Sequence, residues 1–552
     1  MDTSRVLIAI ILSLGLVFAY QELVLKRLYP PHPEQKARVA GAASPSATPG
    51  LKPTPGVAAA PGTMALAPAL PAAPERLIEV DTDLFRAVFT SRGARLKSLQ
   101  LERYRQTAAA NSPPYEMIRP TAGGILPFAA VVETNGQEVT DRNLDYTTDA
   151  PAKIELTGSN RATLTFSAET SGGLKLVKTF ALSGSGYVFD MTVSANAGTA
   201  PVKAVGFSMT QPMTERTGGY YDIPEIQADV SSKVVADPEA TLKKGFQALT
   251  GKITYAGFGD RYFLATFLPE SPNQGVVSSR LSGNDATAQV LFPGTSTALT
   301  RVFMGPKALE VLDAVNPKLH EAINFGWFGF LSLPFLKILK LFHDFAPNWG
   351  WDIILLTLAA RLLMLPMSVK GMRSTMKMQR LAPQMEKIRA QFKDEPERMQ
   401  REMVDLYKRN GVNPLGGCAP MAIQFPIFIG LYEALLNAVE LRHAPFMFWI
   451  RDLSAPDCYP VSWMPTIPFM HCHGIPVLVL LMGVSTFVQQ WMMPTSPDPN
   501  QQKMMMLMPV AFTVILVNFP AGLSLYYFAS NVLGIIQQLF LNREFKQMAP
   551  AT

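Results

Sequence analysis

The stretch Ile353-Ile-Leu-Leu-Thr-Leu-Ala-Ala-Arg-Leu-Leu-Met-Leu-Pro366 decides the fold class of this chain. It lies in an apolar segment over 349–368, and about 20 apolar residues suffice to cross a bilayer. Its one charge, Arg361, lies nine residues before Lys370, or roughly 13 Å inside the helix end at about 1.5 Å per residue. A guanidinium at such depth costs roughly 2.5–3.5 kcal/mol, so a carboxylate, a wet cavity or both must offset it. Two interpretations stay open: a snorkelling or structurally paired arginine, and a charge that lines a hydrated groove.

Further apolar segments predict a multi-pass α-helical membrane protein with six spans. Four segments come after the one around Arg361, at about 419–437, 475–491, 506–520 and 523–541. One more begins at Val6 and predicts a transmembrane anchor over residues 1–27. A cleaved signal peptide ending near Ala19 is the alternative for this first segment, and either feature exports the region C-terminal to it.

The lysine and arginine residues predict the orientation of these spans. The loop after the Arg361 segment is dense in positive charge, with Lys370, Arg373, Lys377, Arg380, Lys387, Arg389, Lys393, Arg398, Arg401, Lys408 and Arg409. The loop after the next span carries only Arg442 and Arg451. Because positive loops stay inside, both termini and the basic loop are expected in the cytoplasm and the long N-terminal region in the periplasm.

The basic loop has a pattern of its own. Leu381, Met385, Ile388 and Phe392 recur at helical spacing, and a second apolar series begins after Pro396, so residues 370–412 predict an antiparallel helical hairpin. Its basic outer faces can bind lipid head groups or ribosomal RNA. A solvated loop without a partner is the alternative.

Two regions separate the anchor from the Arg361 segment. Residues 28–75 are rich in proline and alanine and predict a disordered linker. Residues 76–317 alternate apolar with polar side chains, as in Leu174-Lys-Leu-Val-Lys-Thr-Phe-Ala-Leu182, and predict a large antiparallel β-sandwich. This region has no glycine-rich phosphate loop and no metal-binding cluster of cysteine and histidine, so we expect no enzyme here.

An aromatic and basic segment joins the β-sandwich to the membrane core. Residues 318–347 place Lys337, Lys340 and Asp344 on one side of a helix that is otherwise rich in phenylalanine and leucine. This pattern is typical of a helix that lies in the membrane interface. A further span is the alternative, but it would reverse every later loop against the charge pattern.

The totals agree with a membrane protein of several domains. The chain has 552 residues, of which 48% are hydrophobic and only 17% charged, against about 25% charged in soluble domains. Its net charge of +6 does not by itself imply nucleic acid, and we expect no DNA partner. Cys458 and Cys472 share the predicted periplasmic loop 440–473, where a disulfide is possible, whereas Cys418 is expected to be a free thiol.

The polar residues predicted to lie at the same depth in the membrane as Arg361 are neutral. Glu433 lies in the next, antiparallel span, but roughly 9 Å nearer to the periplasmic side, so a direct ion pair is doubtful. Gln424 and Thr357 match Arg361 more closely, and both can help to hydrate it. An arginine facing water in the inner leaflet would attract an acidic or hydrophilic segment of another chain.

Several motifs in the second half of the chain resemble one known family. They are Asn413-Pro-Leu-Gly-Gly-Cys-Ala-Pro420, Gln424-Phe-Pro-Ile-Phe428, Ala444-Pro-Phe-Met-Phe-Trp-Ile-Arg-Asp-Leu-Ser454, Gln501-Gln-Lys503 and Phe519-Pro-Ala-Gly-Leu-Ser-Leu-Tyr-Tyr527. Together they resemble the YidC membrane protein insertase family over about residues 349–552. The anchor and the β-domain resemble its Gram-negative branch, which implies a supersandwich akin to sugar mutarotases without their activity.

The resemblance also implies a mechanism. It places Arg361 at the position of the family's groove arginine, with Thr357, Gln424 and Tyr527 at polar groove positions, in a five-helix core over residues 348–541 with a cytoplasmic tail, 542–552. It implies an inner-membrane insertase and chaperone that acts on nascent membrane proteins, alone or with the Sec translocon, and uses no nucleotide or other cofactor. Glu433 and the pair Cys458 and Cys472 depart from the family's pattern.

Two other classes of function are weighed against this one. A secondary transporter normally has paired intramembrane ions and repeated halves. The predicted membrane core shows only the arginine Arg361 and the glutamate Glu433 inside its spans, and no repeat. A membrane-tethered periplasmic carbohydrate-acting protein would depend on its β-domain, whereas an insertase would keep most of its activity without it.

Overall fold

The computed structural model describes residues 65–66, 74–119, 124–134, 136–198, 201–213, 224–237, 239–245, 247–412, 419–461, 474–492 and 499–547. The predicted anchor 1–27, nearly all of the linker, and residues Cys418 and Cys472 lie outside these ranges.

The N-terminal half of the described chain is built of β-strands. In chain order these are β1 Ala65–Leu66, β2 Leu77–Asp81, β3 Phe85–Thr90, β4 Arg95–Arg105, β5 Pro114–Glu116, β6 Ala129–Thr134, β7 Gln137–Thr140, β8 Lys153–Glu155, β9 Arg161–Glu169, β10 Lys175–Ser183, β11 Val188–Asn196, β12 Val202–Pro212, β13 Glu225–Val230, β14 Lys233–Asp237, β15 Gln247–Gly259, β16 Phe263–Ser271, β17 Gln274–Ser282, β18 Asp285–Pro293 and β19 Thr297–Pro306. A short helix, α1 Glu239–Leu242, lies between β14 and β15.

The strands form a large β-sandwich in which β15 belongs to two layers. The main sheet runs β1-β7-β6-β12-β18-β17-β15-β16-β19-β11-β10-β9, with β13 paired to β15 and to β14. The first part of β15, 247–252, pairs with β17, and its second part pairs with β13 and β16. Gly251 lies at this junction with φ +157°, where a Cβ atom would stand 2.2 Å from Ser231 Oγ. A second sheet has the order β5-β4-β3-β2-β8.

The period-two pattern places one lysine inside the sandwich. Leu176, Phe180 and Leu182 of β10 are buried, and Lys178 shares their face with none of its surface exposed. Its ammonium lies 2.5 Å from the carboxylate of Asp141 and donates to the carbonyls of Gly93 and Phe128, both at 2.7 Å. Burial lowers the pKa of Lys178 to about 8, although the charge of Asp141 opposes this.

The C-terminal half is helical. Its helices are α2 Leu309–Val315, α3 Gly329–His343, α4 Trp349–Arg380, α5 Ala382–Gln391, α6 Pro396–Arg409, α7 Ala419–Asn437, α8 Val477–Met492, α9 Pro499–Leu516 and α10 Ala521–Gln547. Two 3-10 turns, Pro317–Ala322 and Val439–Leu441, and the strand pair β20 Tyr459–Pro460 and β21 Gly474–Ile475 complete it. The segment predicted as one interfacial helix over 318–347 is thus a 3-10 turn and then α3, which packs on α7 and α4.

The helix that carries Arg361 is longer than the predicted span. α4 continues past Ser368 to Arg380, well into the basic loop. Within the described residues, Trp349–Met378 is the one helix that is both long and apolar enough to cross a membrane, while Val477–Met492 and Met506–Leu516 are apolar but shorter. Large apolar side chains stand exposed along α4, as expected of a surface that meets lipid: Leu355, Leu358, Leu362, Leu363 and Leu365.

The basic loop is a pair of helices around a small apolar cluster. Leu381, Met385 and Val412 are buried there, and side chains of α6 such as Leu406 pack against them. Residues 370–380 of the predicted hairpin 370–412 belong to α4, so the two loop helices are α5 and α6, and α6 begins at Pro396.

Candidate functional site

The structure places Arg361 against α10. Its Nε atom donates a hydrogen bond of 2.9 Å to Ser530 Oγ. The side chain is half-buried and lies between α4 and α10, which pack against each other. Because a serine hydroxyl carries no charge, this contact holds the guanidinium without neutralising it.

The outer nitrogens of the guanidinium keep their hydrogen-bonding capacity. Within the described ranges, no carboxylate forms an ion pair with Arg361, and Ser530 is the one acceptor bonded to it. Neither Nη1 nor Nη2 forms a hydrogen bond with another residue of the described ranges. An arginine with free N–H groups can bind a carboxylate or carbonyl that comes from elsewhere.

A polar stripe on α10 faces Arg361 and α8. Tyr526, Ser530 and Gly534 succeed one another at intervals of four residues, so they share one face of the helix. A Cβ atom on Gly534 would lie 3.3 Å from Arg361 Nη2 and 2.3 Å from Gln489 Nε2, which brings Gln489 of α8 close to the same place. Next to it, the Asn531 amide donates to Ser485 Oγ at 3.0 Å and to Thr486 Oγ1 at 2.8 Å.

The residues predicted to accompany Arg361 have three different surroundings. Gln424 is near, since its amide donates to Tyr526 Oη at 2.9 Å, and Tyr526 lies one helical turn from Ser530. Thr357 is one turn from Arg361 on α4, but it is fully buried and its hydroxyl donates to the carbonyl of Ile353 at 2.6 Å. Its hydroxyl is thus occupied within its own helix.

Tyr527 belongs to an aromatic cluster beside this stripe. Its ring lies 5.1 Å from Phe428 of α7 and 5.1 Å from Phe512 of α9, measured between centroids. These contacts join α7, α9 and α10 in an aromatic cluster, while Tyr527 also interacts electrostatically with Arg361. Of the two adjacent tyrosines, it is therefore Tyr526, which the sequence did not single out, that bonds to Gln424.

Glu433 lies away from Arg361, as its depth in the sequence indicated. Its carboxylate accepts from the Asn437 amide at 3.2 Å, and Asn437 also donates to the carbonyl of Asn324 at 3.0 Å. It also lies near Gly326, where a Cβ atom would stand 3.5 Å from its Oε1. Glu433 therefore helps to hold the end of α7 against the segment that precedes α3.

Two cations join the end of α7 to the β-sandwich. Arg442 donates to the carbonyls of Arg105 at 2.6 Å and Gln106 at 3.2 Å, and its guanidinium carbon lies 4.9 Å from the ring of Tyr115. Lys340 of α3 contacts Glu310 and Glu440, both at 2.6 Å. The β-sandwich is thus bound to the helical core by specific polar contacts.

The loop between α7 and α8 has a disulfide-bonded cysteine, Cys458. Cys472 and the neighbouring histidines lie outside the described residues. In the described part of this loop, Trp449 Nε1 donates to Asp457 Oδ1 at 2.8 Å, and the other oxygen of Asp457 accepts from the backbone of Leu478 at the start of α8. In the described parts of the chain, no group of three or more His, Cys, Asp or Glu residues is placed to hold a metal ion.

A β-sandwich bound to a helical core that exposes large apolar side chains defines a membrane protein with a large domain outside the bilayer. The family comparisons are more specific. The family model described as 60Kd inner membrane protein matches residues 341–548, and the one described as YidC periplasmic domain matches residues 77–338.

Relatives match over the full length of the chain. A membrane protein insertase YidC of Geotalea daltonii is 34% identical and covers 98% of this chain and 99% of its own, and one of Syntrophobacter fumaroxidans is 33% identical over 84% and 86%. This chain therefore belongs to the YidC membrane protein insertase family, which confirms the resemblance found in the sequence and makes the protein an inner-membrane insertase, not an enzyme.

Solved structures show more distant similarity. A crystal structure of an active YidC insertase with its first transmembrane domain resolved has 18% identity and a TM-score of 0.35, covering 86% of this chain and 94% of that one. A galactose mutarotase-like protein from Lactobacillus casei has 12% identity and a TM-score of 0.29, covering 42% of this chain and 99% of that one.

Proposed function

We propose that this insertase moves the polar flank of a client protein across the inner leaflet by way of Arg361 and the polar stripe on α10. The observation that carries this proposal is the Arg361 guanidinium, which is bonded through Nε to Ser530 and whose Nη atoms have no protein acceptor in the described chain. A charge that were only structural would be expected to have a carboxylate partner.

The stripe and the aromatic cluster suit the two parts of a client. An apolar client segment packs against α7 and α9, the third and fifth of the six predicted spans, where the rings of Phe428 and Phe512 lie beside Tyr527. Its acidic or hydrophilic tail meanwhile binds Arg361, near Gln424, Gln489 and water. Because each hydrogen bond to water is exchanged for one to the protein or to trapped water, the tail crosses with a smaller loss of solvation.

The same proposal includes the orientation and partners expected from the sequence. With six spans, cytoplasmic termini and the basic hairpin α5–α6 on the cytoplasmic side, newly made chains would reach Arg361 from the cytoplasm. The exposed positive charges of that hairpin suit the phosphates of ribosomal RNA or of lipid head groups, and larger clients are expected to need the Sec translocon as well.

The test measures insertion by the purified full-length chain in lipid vesicles without ribosomes. Two clients share one apolar segment and differ in their external tail, acidic in one and neutral in the other. Arg361→Ala is expected to lower the insertion rate of the acidic client about tenfold or more, since hydrogen bonds to a charged group contribute about 1.5–3 kcal/mol. Arg361→Lys is expected to be milder, because it keeps the charge but loses the planar fork.

A matched control is Arg380→Ala, which removes an exposed arginine from the end of the same helix. It is expected to leave both clients unaffected in vesicles that lack ribosomes. Wild-type insertion of the acidic client by Arg361→Ala, in protein that folds normally, would refute the proposed role of Arg361.

A further inference from the structure

Two small residues of α10 lie against the Arg361 side chain: Ser530, which is hydrogen-bonded to it, and Gly534, whose backbone lies close to it. Ser530 Oγ accepts from Nε at 2.9 Å. One turn further along, the space beside Gly534 is occupied by Arg361 Nη2 and the amide of Gln489. We propose that Ser530 and Gly534 are positioning residues that aim the outer edge of the Arg361 guanidinium at the client, an inference that rests on the proposed function.

The hydrogen bond to Ser530 occupies Nε, and this determines which N–H donors of the guanidinium remain free to bind the client. Arginine has five N–H donors in a fixed plane, one on Nε and two on each Nη. A bond to Nε fixes the rotation of the plane about the end of the side chain and uses the donor that faces back toward the protein. Four donors on the two Nη atoms remain, and one hydrogen of each points outward, so this pair can still bind both oxygens of a carboxylate end-on.

Gly534 provides the room for this arrangement. A Cβ atom there would lie 2.3 Å from Gln489 Nε2, which is too close, and 3.3 Å from Arg361 Nη2, which is tight. Gly534→Ala would therefore displace the Gln489 amide and crowd the outer edge of the guanidinium, while leaving the bond between Nε and Ser530 in place. The two substitutions thus disturb different sides of the same group.

A second buried serine on α10, Ser524, provides a control that distinguishes an effect on the position of Arg361 from an effect on helix packing. Ser524 is 1% exposed and its hydroxyl is a buried group without a hydrogen-bond partner in the described residues, whereas Ser530 is 4% exposed and bonded to Arg361. Ser524→Ala and Ser530→Ala remove the same atom from equally buried sites on α10. Because Ser530 also has a side-chain hydrogen bond with Tyr526, a difference between them measures the contacts of Ser530 with Arg361 and Tyr526 together, and the Arg361→Lys background separates the two.

The experiment uses the full-length chain in vesicles with the acidic and the neutral client. Ser530→Ala is expected to lower insertion of the acidic client about fivefold, since a bond to a charged group is lost and water replaces part of it. The neutral client is expected to change less than about twofold, because an untethered arginine is still able to hydrate the site. Ser530→Thr, which keeps the hydroxyl, is expected to restore the acidic client, and Ser524→Ala to behave as wild type.

A second measurement combines Ser530→Ala with Arg361→Lys, and its outcome does not depend on how large the effect of Ser530→Ala alone is. Lysine has no donor at the place of Nε, so in an Arg361→Lys chain the hydroxyl of Ser530 loses this role. Ser530→Ala is then expected to have no further effect on the acidic client, and the two changes are not additive. Gly534→Ala is expected to lower insertion of the acidic client in the arginine chain as well.

Each result decides between specific statements. If Arg361→Ala impairs the acidic client but Ser530→Ala matches Ser524→Ala, Ser530 does not position Arg361, although the role of Arg361 stands. If Ser530→Ala slows both clients equally, or adds fully to Arg361→Lys, the serine acts through packing and the inference is overturned. If Arg361→Ala itself has no effect, the proposed function fails first.

Discussion

The contact between Arg442 and the β-sandwich allows a quantitative test of how the two halves of the chain are joined. Arg442 comes directly after the 3-10 turn that succeeds α7, and its guanidinium enters a pocket of the β-sandwich. There it meets the carbonyls of Arg105 and Gln106 and the rings of Tyr115 and Phe263, which stack at 3.9 Å. Arg442→Ala removes all of these contacts at once and leaves the two carbonyls to water.

The size of the effect can be worked out from these contacts. The two hydrogen bonds come from a charged donor at a half-buried place, so we take about 1 kcal/mol for the pair rather than the full value for buried bonds. The guanidinium carbon lies 4.9 Å from the centroid of Tyr115 and 5.3 Å from that of Phe263, and such contacts add about 1 kcal/mol at partly exposed sites. The sum of about 2 kcal/mol corresponds to roughly thirtyfold in the equilibrium for opening this contact.

Hydrogen exchange of the full-length protein in detergent measures this equilibrium. The amide of Gln106 donates to the carbonyl of Pro113 at 2.9 Å, so its exchange reports opening of the loop that receives Arg442. Arg442→Ala is expected to speed that exchange by up to roughly thirtyfold. Arg442→Lys is expected to recover little, because a lysine cannot span both carbonyls and lie flat on the ring.

Arg451→Ala is the control, since Arg451 is an exposed arginine in the same loop. If Arg442→Ala and Arg451→Ala leave the exchange of Gln106 equally close to wild type, Arg442 does not hold the β-sandwich to the core. Faster exchange throughout the β-sandwich would mean instead that the variant unfolds the domain.

Two further predictions concern buried lysines of the β-sandwich. Lys178→Met is expected to lower the free energy of unfolding in urea by about 3–5 kcal/mol, because it leaves Asp141 charged and without its cation. Adding Asp141→Leu should recover much of this loss. If Lys178→Met alone leaves the free energy of unfolding unchanged, the reasoning is contradicted. Burial lowers the pKa of Lys307 from 10.5 to about 8, and its amine donates to Gln227 and Ala322. The unfolded chain therefore binds more protons between these two values, so the free energy of unfolding is expected to rise with pH from about 8 to 10.5. Because Lys178 contributes a similar rise, Lys307→Met should reduce the slope without abolishing it, and an equal slope in both proteins would count against the reasoning.

Much of the fold could be predicted because it depends on local patterns. Alternation in residues 174–182 predicted β10, and the apolar run that contains Arg361 as its one charge predicted a membrane helix. The helical hairpin was predicted from apolar residues spaced three and four apart. Each of these patterns reflects which face of one element must avoid water, and that requirement is already present in the sequence.

The neighbours of Arg361 were harder to predict. Gln424 was selected and lies near the site, but its bond goes to Tyr526 and not to Tyr527. Ser530 and Gly534 were missed, although their spacing of four from Tyr526 was visible in the sequence. Serine and glycine occur often in packed membrane helices, so that spacing alone does not distinguish a site from an ordinary helix contact.

The long-range contacts between the two halves had no local signal at all. Arg442 and Arg105 are separated by 337 residues, and the positive-inside rule could use Arg442 only as a count of charges. Similarly, the alternation in β10 puts Lys178 on the buried face of the strand, but no sequence pattern predicted its ion pair with Asp141.

The sequence by itself determined the class of protein, the alternation of the strands, and the presence of a charge inside an apolar helix, because hydrophobic burial and the cost of a buried charge act on each residue locally. Only the tertiary structure decided how α10 approaches α4, and with it that Arg361 meets a serine and a glycine and no carboxylate of the described chain. The physical reason is that a hydrogen bond needs two groups about 3 Å apart, and the distance between groups on different helices is set by the packing of the whole core.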